Sequence, residues 1–252
     1  MSFEKDGFQE RTPEEENAKL REALIAQEIR ISELHAKVLE RDQRIATLQE
    51  IINTDRLTQL RSRGALENKI LSIDERRREN QESGSETESK KNVAVLILDI
   101  DNFKQINDTY GHLVGDHVLV EVGKFLKDEF RKDDFVGRWG GEEFMVLLRA
   151  TNLELLMKKF YDPQAKRARL GFVVETDGKT IPITFSGGLA MLESGEDIQD
   201  AVSRADDALY TAKRGSVDGD GEKTSARDRI LSYTNGTAKA PQKEEVPPET
   251  IV

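Results

Sequence analysis

Five consecutive heptads constrain the first part of this chain. From Asn17 to Ile52 one seam runs through Leu24, Ile31, Val38, Ile45 and Ile52, and a second through Leu20, Gln27, Leu34, Arg41 and Leu48. No proline or glycine interrupts them. A seven-residue apolar period with branched residues on one seam and leucine on the other favours two parallel helices supercoiled together, with Gln27 and Arg41 fixing register. Lys37 and Asp42 of a second copy would have opposite sign across that seam. Residues 17–54 are therefore expected to be a coiled-coil dimerisation stalk, of which the 36 residues from Asn17 to Ile52 would run roughly 54 Å. The competing expectation is a single amphipathic helix lying on its own domain. Residues 1–16 are acidic, lack an apolar core and are expected to be a flexible N-terminus.

The 252 residues leave room for one enzyme-sized domain beyond the stalk. Cysteine is absent, which excludes disulfides, thiolate metal sites and a thiol nucleophile. The longest apolar run, "VAVLIL", is too short to cross a bilayer. With no secretory signal pattern at the start, a cytoplasmic protein without a membrane partner is expected. A net charge of −10 and a pI near 5.1 argue against polymeric nucleic acid as a partner, but not against a small nucleotide.

Beyond the stalk, Ser62 is a candidate N-cap for a helix with Leu66, Ile70 and Ile73 on one face. Residues 78–92 offer no apolar residue to bury and are expected to form a mobile loop. "VAVLILDID" reads as a central strand covered on both faces. A short helix follows at "FKQIND". The next, with Val118, Leu119, Val122, Phe125 and Leu126 at helical spacing, would be capped by Asp116. "DFVGRW" and "EFMVLL" flank Gly140-Gly141 as a hairpin with a glycine turn. "IPITFSGGLAML" is a further strand. "IQDAVSRADDALYTAKR" is an amphipathic helix with Val202, Ala205, Leu209 and Ala212 on one stripe. Residues 217–252 are rich in Gly, Pro and charge and are expected to be a disordered tail. Strands interleaved with helices, one hairpin among them, give an α+β class with a mixed sheet flanked by helices.

Asp99 ends the buried strand, where open sheets usually place ligands. Glu142 and Glu143 sit at the hairpin turn that would pair beside it. Neighbouring carboxylates repel, so a cation at that point would be compensating: Mg²⁺ takes one or two carboxylates plus substrate phosphates. A solvated acidic turn is the alternative.

Four segments in order, "DRLTQLRSR" (55–63), "LDIDNFKQINDTYGHLVGD" (98–116), "GGEEF" (140–144) and "RADDALYTAK" (204–213), together resemble the GGDEF family of diguanylate cyclases, in its GGEEF variant. The resemblance spans roughly Asp55 to Lys213 and implies a GGDEF domain at 55–216 with a fold like the palm of adenylyl cyclases and polymerases. Members condense two GTP into cyclic di-GMP and two pyrophosphates with Mg²⁺ or Mn²⁺. One domain holds one GTP, so a homodimer would complete the site.

Carried over residue by residue, the resemblance implies Asp99 and Glu142 as metal carboxylates with the Ile100 carbonyl as a further ligand. Glu143 would be a second metal contact and help to deprotonate the ribose 3′-hydroxyl. Lys104 and Lys213 would stabilise phosphate charge, and Phe103 would border the phosphates. Asn107 and Asp116 would read guanine, with His112 between them. Arg131 and Asp134 form an "RxxD" pattern before Gly140, resembling an inhibitory site for cyclic di-GMP. On their own residues, alternatives remain: Asn107 and Asp116 as helix caps, Lys213 as a helix C-terminal charge, and Arg131–Asp134 as a helix-end ion pair. The alternative function is a catalytically inactive cyclic di-GMP receptor signalling through its coiled coil. An unknown sensory partner would supply the input in either case.

The chain departs from the pattern in three places. Many relatives continue after Lys213 with Gly-Arg-Asn, where this chain has "RGSVDGDG"; Arg214 is the candidate replacement for the arginine. Serine stands at 62 where asparagine is common. Residues 151–180 match poorly, with Pro163 expected to interrupt a helix.

Overall fold

The computed structural model describes residues 13–82, 93–149, 152–162, 167–168, 170–214, 227–234 and 237–239. In chain order the elements are α1 (Pro13–Asn53), α2 (Arg63–Glu82), β1 (Val93–Ile100), α3 (Phe103–Tyr110), α4 (His112–Glu129), β2 (Phe135–Gly140) and β3 (Glu143–Arg149). There follow α5 (Leu153–Phe160), β4 (Tyr161–Asp162), β5 (Arg167–Ala168), β6 (Gly171–Thr176), β7 (Lys179–Met191), α6 (Ile198–Arg214), β8 (Ile230–Thr234) and β9 (Thr237–Lys239). The chain divides into two units, residues 1–51 and 52–252.

The first unit is the long helix α1. It begins at Pro13, four residues before the heptads, so 13–16 extend a helix and are not a flexible lead; residues 1–12 lie outside the described residues. Seam residues that a partner helix would cover are open: Leu24 is 57% exposed, Val38 57% and Leu48 50%. Among the described residues no helix is long and apolar enough to cross a membrane.

The second unit is a sheet in the order β2-β3-β1-β7-β8-β9, with β6 paired to the far half of β7. Among the described strands β7 and β8 pair in parallel and the other pairs are antiparallel, which makes the sheet mixed. The apolar run of β1 is central, as its continuity predicts, because the two sides of a pleated strand both meet helices here. Ala94, Leu96 and Leu98 join Val118, Val122 and Leu126 of α4 in one buried cluster. Val95 and Ile97 join Leu66 and Ile70 of α2 and Val202, Ala205 and Leu209 of α6 in another. Since side chains alternate along a strand, Asp99 falls on the α6 side.

Ser62 caps α2 as expected: its hydroxyl accepts from the Ala65 amide at 3.3 Å and donates to the Ile52 carbonyl at 2.9 Å. Three expectations are corrected. Residues 78–82 continue α2, so the proposed loop begins no earlier than residue 83; residues 83–92 lie outside the described residues. Asp116 does not cap α4, which already starts at His112 behind Gly111 and carries Asp116 in its second turn. The stretch from 217 onward is not a disordered tail throughout. Arg227–Thr234 and Thr237–Lys239 are ordered, with β8 parallel to β7 from Gly187 to Leu189, and Ile230 and Leu231 are 0% and 2% exposed. Two apolar residues suffice because β7 offers an open edge whose backbone groups need partners. Residues 215–226 and 240–252, and Pro163, lie outside the described residues.

Candidate active site

The β2–β3 turn meets the end of β1 because Asp99 pairs with Glu143 and the Ile100 amide donates to the Glu142 carbonyl at 3.3 Å. The two residues between the strands are Gly141 and Glu142, not Gly140 and Gly141: Gly140 pairs with Glu143 as the last residue of β2. Gly141 adopts φ +52, a conformation that favours glycine at the first central position of a tight hairpin. Arg138 clamps this turn. Its guanidinium donates twice to the Gly141 carbonyl, at 3.0 and 2.8 Å, and reaches Asp55 at 3.4 Å. Burial alone would push the Asp55 carboxyl up, but bonds from the Thr58 amide and hydroxyl, together with Arg138, hold it below its ordinary value.

Asp99 is buried, 4% exposed. Lys213, reaching down from the last turn of α6, places its ammonium 2.7 Å from the carboxylate. Burial nevertheless pushes the Asp99 carboxyl up to about 6, against the pull of Lys213 and with Glu142 and Glu143 adding repulsion. Among the described residues no three acidic or histidine side chains are already drawn together as a metal cage. A hard cation that takes only one or two protein carboxylates needs none. Asp99 and Glu142 present hard carboxylate oxygens to one cleft, with Glu143 paired to Asp99 in the sheet, a donor chemistry that suits Mg²⁺ or Mn²⁺.

The cleft over this point is lined by Asp99, Ile100, Phe103, Lys104, Glu142 and Lys213, six of the residues singled out in the sequence. At its floor α3 begins behind Asn102, a residue in the left-handed conformation whose side chain makes no capping bond. First-turn amides without a helical acceptor are suited to an anion. Glu143 pairs with Asp99 in the sheet but does not line the cleft.

Asn107 and Asp116 sit on the neighbouring α3–α4 pair, outside the cleft lining. Asn107 is held there by close packing: a Cβ added at Gly115 would lie 1.9 Å from its side-chain oxygen. The bare Gly115 on α4 leaves the Asn107 carboxamide its room, while the next residue, Asp116, is exposed. His112 is exposed at the start of α4.

Arg131 and Asp134 form a closed turn before β2. The Arg131 amide donates to the Asp134 carboxylate at 3.0 Å and the Asp134 amide to the Arg131 carbonyl at 2.9 Å. The arginine side chain is exposed, and the turn lies at the far end of β2 from the glutamates, a strand length of roughly 17 Å away.

Sequence reasoning missed Arg227. It lines the same cleft beside Lys213. Arg214, the expected replacement for the absent arginine, instead stacks over Tyr210 at 5.1 Å and bonds its hydroxyl. The signal was present in "SARDRILS": a basic-acidic-basic triplet directly before an apolar stretch, displaced along the chain from Lys213.

The family profile described as "Diguanylate cyclase, GGDEF domain" matches residues 52–218. The chain belongs to this family. Its GGDEF domain is 38% identical over 165 residues to diguanylate cyclase DgcP of Pseudomonas aeruginosa, covering 66% of this chain and 23% of that protein. It is 39% identical over 163 residues to diguanylate cyclase A of Treponema denticola, covering 62% and 39%. The chain thus spans well under half the length of the curated relatives it matches. Among solved structures it is similar to the coiled coil and GGDEF domain of DgcB from Caulobacter crescentus in complex with c-di-GMP. That likeness has a TM-score of 0.62 and 25% identity, over 82% of this chain and 100% of that one. Diguanylate cyclase SiaD of Pseudomonas aeruginosa, in complex with its activator SiaC, gives a TM-score of 0.58 and 31% identity, over 87% and 78%.

Proposed function

We propose that this protein is a diguanylate cyclase that joins two GTP molecules into cyclic di-GMP and releases two pyrophosphates. The observation that carries the reading is a cleft in which buried Asp99 and half-buried Glu142 meet Lys104, Lys213, Arg227 and the start of α3. It gathers carboxylates for a cation together with three cationic side chains and the first-turn amides of α3 for a triphosphate, Lys213 lying directly against Asp99.

Asp99, Glu142 and the Ile100 carbonyl would hold Mg²⁺ or Mn²⁺, with Glu143 as a second contact. Bound there, the cation neutralises phosphate charge and lowers the pKa of an approaching hydroxyl. Lys104, Lys213 and Arg227 bind the phosphate oxygens and stabilise the charge that builds on the leaving pyrophosphate. Phe103 borders the phosphates. Asn107 and Asp116 read the guanine edge, Asp116 accepting from the N1–H and N2–H₂ donors that adenine does not present, and His112 stands beside the base. In each of two equivalent steps a 3′-oxygen bonds to the α-phosphorus of the other GTP as the bond to pyrophosphate breaks, and Glu143 takes the hydroxyl proton.

Each domain holds one GTP, so the site is completed by a second copy. The exposed heptad seams of α1 would pair in a parallel coiled coil, residues 17–54 serving as the dimerisation stalk and the catalytic domain running from 55 and including the ordered strands up to Lys239. Tethering of this kind raises the effective concentration of the two domains to the millimolar range. A sensory partner acting on the stalk would set the output; SiaD, solved with its activator, supports a partner of this kind. Arg131 and Asp134 would bind cyclic di-GMP as an inhibitor, the arginine meeting guanine or phosphate through paired bonds.

Purified protein with GTP and Mg²⁺ is expected to release pyrophosphate and cyclic di-GMP in a ratio of two to one. Tight cyclic di-GMP binding without turnover would overturn the cyclase reading and leave a receptor.

A further inference from the structure

Resting on the cyclase reading, the network around Asp101 carries one step more. Asp101 lies just past β1, 5% exposed, and its carboxylate accepts three hydrogen bonds. Oδ1 accepts from the Ser186 hydroxyl at 2.7 Å; Oδ2 accepts from the Thr184 hydroxyl and from the Asp228 backbone amide, both at 2.8 Å. The two hydroxyls belong to β7, whereas the amide belongs to the segment that returns to the sheet after the long interval following α6.

That segment has an unusual backbone. Arg227 and Asp228 both adopt the left-handed conformation, at φ +74 and +47. Consecutive non-glycine residues there are costly and persist only where the surroundings over-determine them. Two bonds do so: the Arg227 amide to the Ala212 carbonyl at 2.9 Å, and the Asp228 amide to Asp101. The consequence of this fixed kink is that Arg227 lines the cleft beside Lys213.

We propose that Asp101 is a positioning residue for the phosphate end of the substrate. Anchored to β7 through Thr184 and Ser186, its carboxylate latches the Asp228 amide and so presents Arg227 to the triphosphate. A carboxamide preserves the latch, because its oxygen can face Thr184 and Asp228 while its NH₂ donates to Ser186. An alanine cannot. Asp228→Pro removes the same amide, and its fixed negative φ opposes the kink, without touching the buried carboxylate.

The experiment compares two ligands of the full chain with Mg²⁺: the α,β-methylene analogue of GTP, which cannot be cyclised, and GMP, which lacks the outer phosphates. Arg227→Ala, Asp101→Ala and Asp228→Pro should each weaken the triphosphate analogue about tenfold or more, the loss of a charge-assisted bond. GMP affinity should stay within about twofold, Asp101→Asn should bind the analogue close to the parent, and Asp101→Ala/Arg227→Ala should be no weaker than Arg227→Ala. Should Asp101→Ala fail to fold by its thermal melt, Asp228→Pro decides. The latch is overturned if Asp101→Ala and Asp228→Pro bind the analogue like the parent while Arg227→Ala does not, or if GMP and the analogue weaken equally. Parent protein that binds neither ligand would instead remove the cyclase reading, and the latch with it.

Discussion

At the residue scale the decisive group is Asp99. Its carboxyl, pushed from 3.8 to about 6, favours the fold when protonated. That contribution is complete below the ordinary value and lost as pH rises through 6, a difference of about 3 kcal/mol for a shift of this size. Asp99→Asn should therefore melt higher than the parent at pH 7.5 in metal-free buffer, with about half of the gap left near pH 5 and the two converging only near pH 3.5. Differential scanning calorimetry at these values checks this. Excess Mg²⁺ should stabilise the parent and not the variant, since only the ionised carboxylate is a ligand. Gly115 gives a second test. Gly115→Ala displaces the Asn107 carboxamide and should weaken GTP about tenfold, the scale of a lost base contact, while ATP, already a poor ligand, changes little; competition binding measures both. The sequence placed Asp99, Ile100, Phe103, Lys104, Glu142 and Lys213 in one site, and the fold brings them together. Arg227 was harder to read, because it stands 14 residues beyond Lys213 and adjacency along a helix is not adjacency across a cleft.

At the scale of elements, the glutamate turn is supported from outside itself. Arg138 bonds the Gly141 carbonyl and Asp55, tying β2–β3 to the segment between α1 and α2. Arg138→Met should cost about 1–3 kcal/mol, the usual range for breaking a partly buried charged bond, and should lower turnover beyond that loss by loosening Glu142; denaturant unfolding and steady-state rates separate the two. The tail makes the opposite point. Its composition read as disorder because glycine, charge and serine dominate up to Arg229, and Arg229 and Ser232 are polar residues that become buried. What overrides composition is the vacant edge of β7 and the buried pair Ile230–Leu231. A chain ending at Arg214 should lose about 3–6 kcal/mol, two large aliphatic side chains' worth of burial, and melt well below one ending at Lys239. The α4 start was misplaced because the capping preference of aspartate is local, whereas Asp116 stands exposed in the second turn of a helix that already begins at His112.

For the whole molecule, the heptads were legible in the sequence because a seven-residue period over α1 is a strong one-dimensional signal. The pairing itself is a property of two chains. On this account one chain alone holds half a site, and the stalk supplies the other half at high local concentration. The most direct measurement is the cyclic di-GMP formation rate per subunit across a dilution series, for the full chain and for one beginning at Ile52. The full chain should keep its rate well below micromolar concentration, while the shortened chain should lose rate in proportion to dilution. Equal rates per subunit at every concentration, or no cyclic di-GMP from either chain, would contradict it.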